Sequence, residues 1–93
     1  MDAAGFFAVV RRRTTFTSTH RDPLAAACRF INQRGDTAEA QALRKVIKAL
    51  AAQEGEFAES EVWLFGTEAI TLVAALVDAR MEGRYTEIEW WTV

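Results

Sequence analysis

Between Thr67 and Gly83 the sequence carries Ile70, Leu72, Val73, Leu76 and Val77 so densely that a helix over this stretch is apolar on nearly every side. A helix of that kind has no face to offer water, so the rest of the 93-residue chain must pack around it. Thr67 or Gly66 opens it, and Gly83 ends it after Glu82. Its longest apolar stretch, Ala69 to Val77, is broken only by Thr71 and is about half as long as a membrane crossing requires. The expectation is one hydrophobic core with this helix at its centre, and one domain over residues 1–93.

Two more helices follow from their ends. Asp22-Pro23 is a helix opening, because the carboxylate accepts a hydrogen bond from a free backbone N–H and proline fits a first turn that needs no donor. Leu24, Ala27, Cys28 and Ile31 then fall on one stripe with Phe30 beside it, and Gly35 closes the helix after Arg34. Asp36 or Thr37 caps the next helix, where Leu43, Val46, Ile47 and Leu50 recur at three and four residues until Gly55. The short turn between them makes these two helices an αα-hairpin. The expected core includes Val46, Ile47, Leu50, Ile70, Val73, Leu76 and Val77.

The flanks read differently. Phe6 to Ser18 is rich in aromatic and β-branched residues, which suits a strand with Phe6, Ala8, Val10 and Phe16 on one face and Arg11, Arg12 and Arg13 guarding an exposed edge. Val62-Trp63-Leu64-Phe65 fits either a buried strand or a packed loop. Tyr85 to Trp91 alternates polar and apolar residues like a strand, although Thr86 with Glu89 also matches a capping box for a short final helix, and the strand is favoured. The fold class expected is α+β and helix-dominated: three helices, with a small sheet from the N-terminal strand and short C-terminal strands.

The chemistry is narrow. His20 is the only histidine and Cys28 the only cysteine, so a nucleophile and imidazole pair would have to use His20 with Cys28 or Ser18. His20 in the loop before Asp22 reads as solvated and Cys28 on an apolar stripe as an inert buried thiol, so no catalytic residues are expected. One Cys and one His cannot close a zinc site without carboxylates, and the five glycines stand singly rather than in a phosphate loop, so neither metal nor cofactor is expected. A lone cysteine and the absence of basic residues before the first apolar patch point to a cytoplasmic protein with no membrane association.

Charge is unevenly spread. Residues 1–34 carry six arginines against Asp2 and Asp22, a net of +4, whereas residues 35–93 carry five basic and eleven acidic side chains, a net of −6. Arg11, Arg12 and Arg13, with His20, Arg21, Arg29 and Arg34, read either as solvated arginines matched to the acidic half or as a nucleic-acid-binding patch. Helix-turn-helix recognition is disfavoured by Asp36-Thr37-Ala38-Glu39-Ala40, which brings two acids and no base-reading side chain to the start of the second helix. Glu54, Glu56, Glu59, Glu61, Glu82, Glu87 and Glu89 read either as an ordinary solvated face or as an acidic surface for a basic partner. Trp63, Trp90 and Trp91 are more tryptophan than a small core easily hides, and aromatic residues beside charges are characteristic interface anchors. If Trp90 and Trp91 lie on a strand, one packs inward and the other meets solvent, a partner or a second copy in a homodimer.

A small, alanine-rich, acidic-leaning chain with Leu43-Arg44-Lys45-Val46-Ile47-Lys48-Ala49-Leu50 and the tail Glu82-Gly83-Arg84-Tyr85-Thr86-Glu87-Ile88-Glu89-Trp90 resembles phage-encoded anti-CRISPR proteins, in particular inhibitors of type I systems. The resemblance implies stoichiometric inhibition by a non-enzymatic protein that docks on a CRISPR effector complex and covers the basic surface that target DNA must reach. The partner-binding residues expected on this reading are Glu56, Glu59, Glu61, Glu87 and Glu89, with Trp90 or Trp91 as anchor and no specific nucleic-acid contact. The alternative is a small nucleic-acid-binding transcriptional regulator that uses Arg11 to Arg13.

Overall fold

The computed structural model describes residues 1–13 and 21–91, the side chain of Glu59 excepted. Its elements are α1 (Ala3–Arg13), α2 (Pro23–Arg34), α3 (Ala38–Ala52), a 3-10 helix (Glu59–Leu64), α4 (Thr67–Glu82) and α5 (Glu87–Trp91). Among the described residues there is no strand or sheet, which corrects the α+β expectation to an all-α fold. The β-type pairing found there is an isolated antiparallel bridge between Asp2 and Glu56.

The N-terminal strand is corrected to α1. Asp2 starts this helix, its carboxylate accepting from the Gly5 N–H at 2.8 Å and its carbonyl from the Phe6 N–H at 3.0 Å. Ala3, Phe6 and Val10, at spacings of three and four, are the residues it buries, and Ala8, on the expected strand face, is exposed. Arg11, Arg12 and Arg13 occupy the last turn, where cations oppose the negative end of the helix dipole. Phe6 stacks on Phe57 at 4.0 Å and meets Phe65 edge-on at 6.2 Å, so α1 belongs to the core. The remainder of the expected strand, Thr14 to Ser18 with Phe16, lies outside the described residues, as does His20.

α2 and α3 form the expected hairpin. The Asp22 carboxylate accepts from the Ala25 N–H at 3.1 Å, Pro23 occupies the first turn, and Gly35 closes α2 at φ 61°. Thr37 caps α3 by accepting from the Ala40 N–H at 3.2 Å. The left-handed residue that ends α3 is Gln53, not Gly55. Val62 to Phe65 is neither strand nor irregular loop: the 3-10 helix runs through Leu64, burying Val62, while the next residue, Phe65, is also buried.

α4 is surrounded as its composition requires, with Ile70, Val73, Leu76 and Val77 buried against α1, α2 and α3. Val46, Ile47 and Leu50 of α3 are buried in the same core. Leu76→Ala is expected to lower stability by about 2–5 kcal/mol in urea unfolding. A loss below about half a kcal/mol would place residue 76 at the surface.

The C-terminal strand is corrected to α5, and the capping box explains why. The Glu89 N–H donates to Thr86 Oγ1 at 3.2 Å, and the Thr86 N–H donates back to Glu89 Oε1 at 3.1 Å. Two otherwise unpaired donors at the start of α5 are thereby satisfied, which outweighs a polar and apolar alternation only a few residues long. No helix among the described residues is long and apolar enough to cross a membrane.

Candidate interaction surface

Helix α5 is held at both ends of its approach. Trp90 is 1% exposed, its ring edge-on to Tyr85 at 5.4 Å and 5.8 Å from the Arg80 guanidinium. The Tyr85 hydroxyl donates to Asp22 Oδ1 at 2.5 Å and accepts from the Leu24 N–H at 3.3 Å, while Arg84 donates to the Arg21 carbonyl. The segment before α5 is thus tied to the N-terminus of α2, and Trp90 plugs the core. A five-residue helix that would not persist alone is fixed by these contacts.

The Tyr85 hydrogen bond, followed by the Ala25 N–H, holds the Asp22 carboxyl below its ordinary value of 3.8. Burial, followed by the bond to Asp22, pushes Tyr85 above its ordinary value of 10.0. Asp22 therefore contributes stability that is fully present above 3.8 and is lost as pH falls through its lowered value; Tyr85 contributes stability that is present below 10.0 and is lost as pH rises through its raised value. Urea unfolding of the wild type and of Asp22→Asn, which keeps a capping oxygen, checks the acid side: the wild type's advantage at neutral pH should shrink below pH 3.8. An advantage that persisted at lower pH would exclude the carboxylate as its source.

With Trp90 inside, Ile88 and Trp91 lie three residues apart on the outer side of α5, 76% and 58% exposed. Trp91 edges a groove of about 380 Å³ whose other walls include Lys45, Lys48 and Ala52 of α3 with Glu54 and Phe57 of the connection that follows. The groove places Glu54, in the acidic stretch that follows α3, beside Trp91 of α5, the helix that also carries Glu87 and Glu89. The acidic charges are partly committed within the chain. Glu56 lies 3.9 Å from the N-terminal ammonium, Glu61 holds Lys45 Nζ at 2.9 and 3.1 Å, Glu87 meets Arg80 at 2.9 Å, and Glu89 serves the capping box. The side chain of Glu59 lies outside the described residues. Of the two adjacent tryptophans, Trp90 is the core residue and Trp91 the accessible one.

Sequence reasoning missed Ile88, whose pairing with Trp91 becomes visible once the capping box is read as the start of a helix. It also missed a second groove of about 530 Å³ between α1, α3 and α4, lined by small or apolar residues such as Ala4, Phe7, Ala8, Val77 and Met81. Arg11 and Arg80 stand at its edge, and each is already bonded within the chain, Arg11 to Asp78 at 3.0 Å and Arg80 to Glu87. Cys28 is half-buried rather than enclosed, and burial pushes its thiol up. His20 and Ser18, the other members of the nucleophile pairs considered, lie outside the described residues. No group of three or more His, Cys, Asp or Glu is close enough to hold a metal ion among the described residues. Comparison of the chain with protein-family models, with curated proteins and with solved structures finds no match.

Proposed function

We propose that this chain is a non-enzymatic protein-binding domain that engages its partner through Ile88, Trp91 and the groove along α3. One observation carries the reading: a tryptophan and an isoleucine stand in solvent on a helix whose other large apolar residue, Trp90, is locked in the core. Rigid aromatic side chains of this kind bind with little loss of conformational freedom, because the helix that presents them is already ordered. The narrower reading is a cytoplasmic inhibitor that docks on a CRISPR effector complex and covers the basic surface its DNA must reach. It draws on the resemblance of Leu43 to Leu50 and of Glu82 to Trp90 to anti-CRISPR proteins, on Glu54 in the Trp91 groove, and on Glu87 and Glu89 of the helix that carries Trp91.

Affinity capture from cells that carry the protein, followed by mass spectrometry, identifies the partner, and Trp91→Ala then tests the surface. A desolvated anchor contributes about 2 kcal/mol or more, roughly thirtyfold in Kd, and its loss should mainly speed dissociation. Reversal of Glu54, which serves neither the capping box nor an ion pair among the described residues, to lysine should instead slow association and weaken its salt dependence. A partner that binds Trp91→Ala with unchanged affinity shows that recognition lies elsewhere.

A further inference from the structure

Trp63, on the 3-10 helix, is the most exposed tryptophan of the chain. Trp63 is 72% exposed, and the Arg13 guanidinium lies over its ring at 4.8 Å. That guanidinium is itself fixed, because Arg13 Nη1 donates to the Val62 carbonyl at 2.7 Å. Leu64, the next residue, is also exposed. Arg12, beside Arg13 on α1, bonds only the Ala8 carbonyl of its own helix, at 3.4 Å. Neither Arg12 nor Arg13 meets a carboxylate among the described residues, in contrast to Arg11, which Asp78 holds at 3.0 Å.

We infer that Arg12, Arg13, Trp63 and Leu64 form a second docking surface, for a protein segment that combines aspartate or glutamate with an aliphatic or aromatic side chain. Charge complementarity selects the occupant. Arg12 and Arg13 are exposed and meet no carboxylate among the described residues, in a protein whose net charge is −2, and exposed cations of this kind attract carboxylates. The apolar half of the occupant follows from Trp63 and Leu64, which present area that water solvates poorly, and from the stacked guanidinium, which holds the indole in one orientation. A nucleic acid is the weaker fit. Only two phosphates could be neutralised here, against the six to ten contacts typical of tight binders, and an exposed leucine has nothing to recognise on a phosphate backbone. None of Arg12, Arg13, Trp63 and Leu64 lines the Trp91 groove.

Selection of random twelve-residue peptides displayed on phage against the folded domain tests the inference, with Trp63→Ala, the pair Arg12→Glu and Arg13→Glu, and Trp91→Ala selected in parallel. The expected result is enrichment of peptides carrying Asp or Glu with Leu or Phe, which shift the Trp63 indole resonance in NMR spectra. These peptides should bind at least tenfold more weakly to Trp63→Ala and to the charge-reversed pair, and equally well to Trp91→Ala. Circular dichroism of each variant establishes that it is folded. Enrichment of no sequence, enrichment without acidic residues, or binding that is unchanged in the charge-reversed pair would overturn the proposal. So would binding of the oligonucleotide dT20 more tightly than the selected peptides at physiological salt, which would assign the surface to single-stranded nucleic acid. Peptides that lose affinity only for Trp91→Ala would return recognition to the α3 groove and sink this surface alone.

Discussion

Replacing Trp90 with alanine is expected to destabilise the domain by about 3–5 kcal/mol, the range for truncating a large buried aromatic residue. Trp90 is among the largest fully buried side chains of the core, and α5 has no other residue inside. Its loss leaves a cavity beside Tyr85 and Arg80 and removes the one buried side chain of α5. One feature moderates the effect: the indole Nε1 is buried and meets no hydrogen-bond partner among the described residues, a desolvation cost that the substitution removes. Small domains have total stabilities of about 5–15 kcal/mol, so the variant should melt at least roughly 12 °C lower. Trp91→Ala and Ile88→Ser should each change stability by less than about half a kcal/mol, as exposed positions do. The Ile88 result separates helix from strand. On a strand, residues 88 and 90 share a face and Ile88 would be buried with Trp90; on α5 it points outward. Urea unfolding of the three variants would falsify the helical assignment if Ile88→Ser proved as costly as Trp90→Ala.

The elements that could be read from sequence are those whose ends and faces agree. α2 and α3 have Asp22-Pro23, Gly35 and Thr37 as explicit stops and starts, and α4 is so apolar that only a central helix accommodates it. At the two flanks local signals compete. In α5 the capping box and the strand-like alternation occupy the same residues, and the reciprocal hydrogen bonds of Thr86 and Glu89 decide between them. In α1 the aromatic and β-branched residues favour a strand by propensity, yet no neighbouring strand exists among the described residues to complete a sheet, and a lone strand leaves its backbone groups unpaired. A helix satisfies them internally. The Val62 to Phe65 run was too short to carry a period, and its 3-10 conformation follows from packing against α1 and α3.

The surface was legible only in part, because the partner of a charged side chain is set by the fold. Lys45 and Glu61 are 16 residues apart, and Arg11 and Asp78 are 67 apart, so no local pattern announces either pair. Composition identified the acidic stretches and the surplus of tryptophan, and adjacency alone implied that Trp90 and Trp91 face different surroundings. Which of them faces inward depends on the rotation of α5 about its axis, which Tyr85 and the capping box fix together.

Phe6→Ala is expected to cost about 3–5 kcal/mol, comparable to Trp90→Ala, because the fully buried Phe6 ring packs against Phe7, Phe57 and Phe65 at once. Its ring stacks on Phe57 in the connection after α3, meets Phe65 ahead of α4 edge-on, and packs against Phe7 within its own helix at 5.7 Å. The backbone reinforces that contact. The Met1 ammonium donates to the Phe57 carbonyl at 2.7 Å and the Phe57 N–H donates to the Met1 carbonyl at 2.8 Å, so the start of the chain is bound to the residue on which Phe6 stacks. Truncating Phe6 empties the space beside Phe57. Ala8→Lys provides the complementary measurement, since residue 8 shares a face with Phe6 on a strand but is exposed on α1. Its expected effect in urea unfolding is below about half a kcal/mol, as for other exposed positions. A large loss from Ala8→Lys together with a small one from Phe6→Ala would show that the first thirteen residues do not pack as α1, and that the aromatic cluster around Phe57 is closed by a different part of the chain.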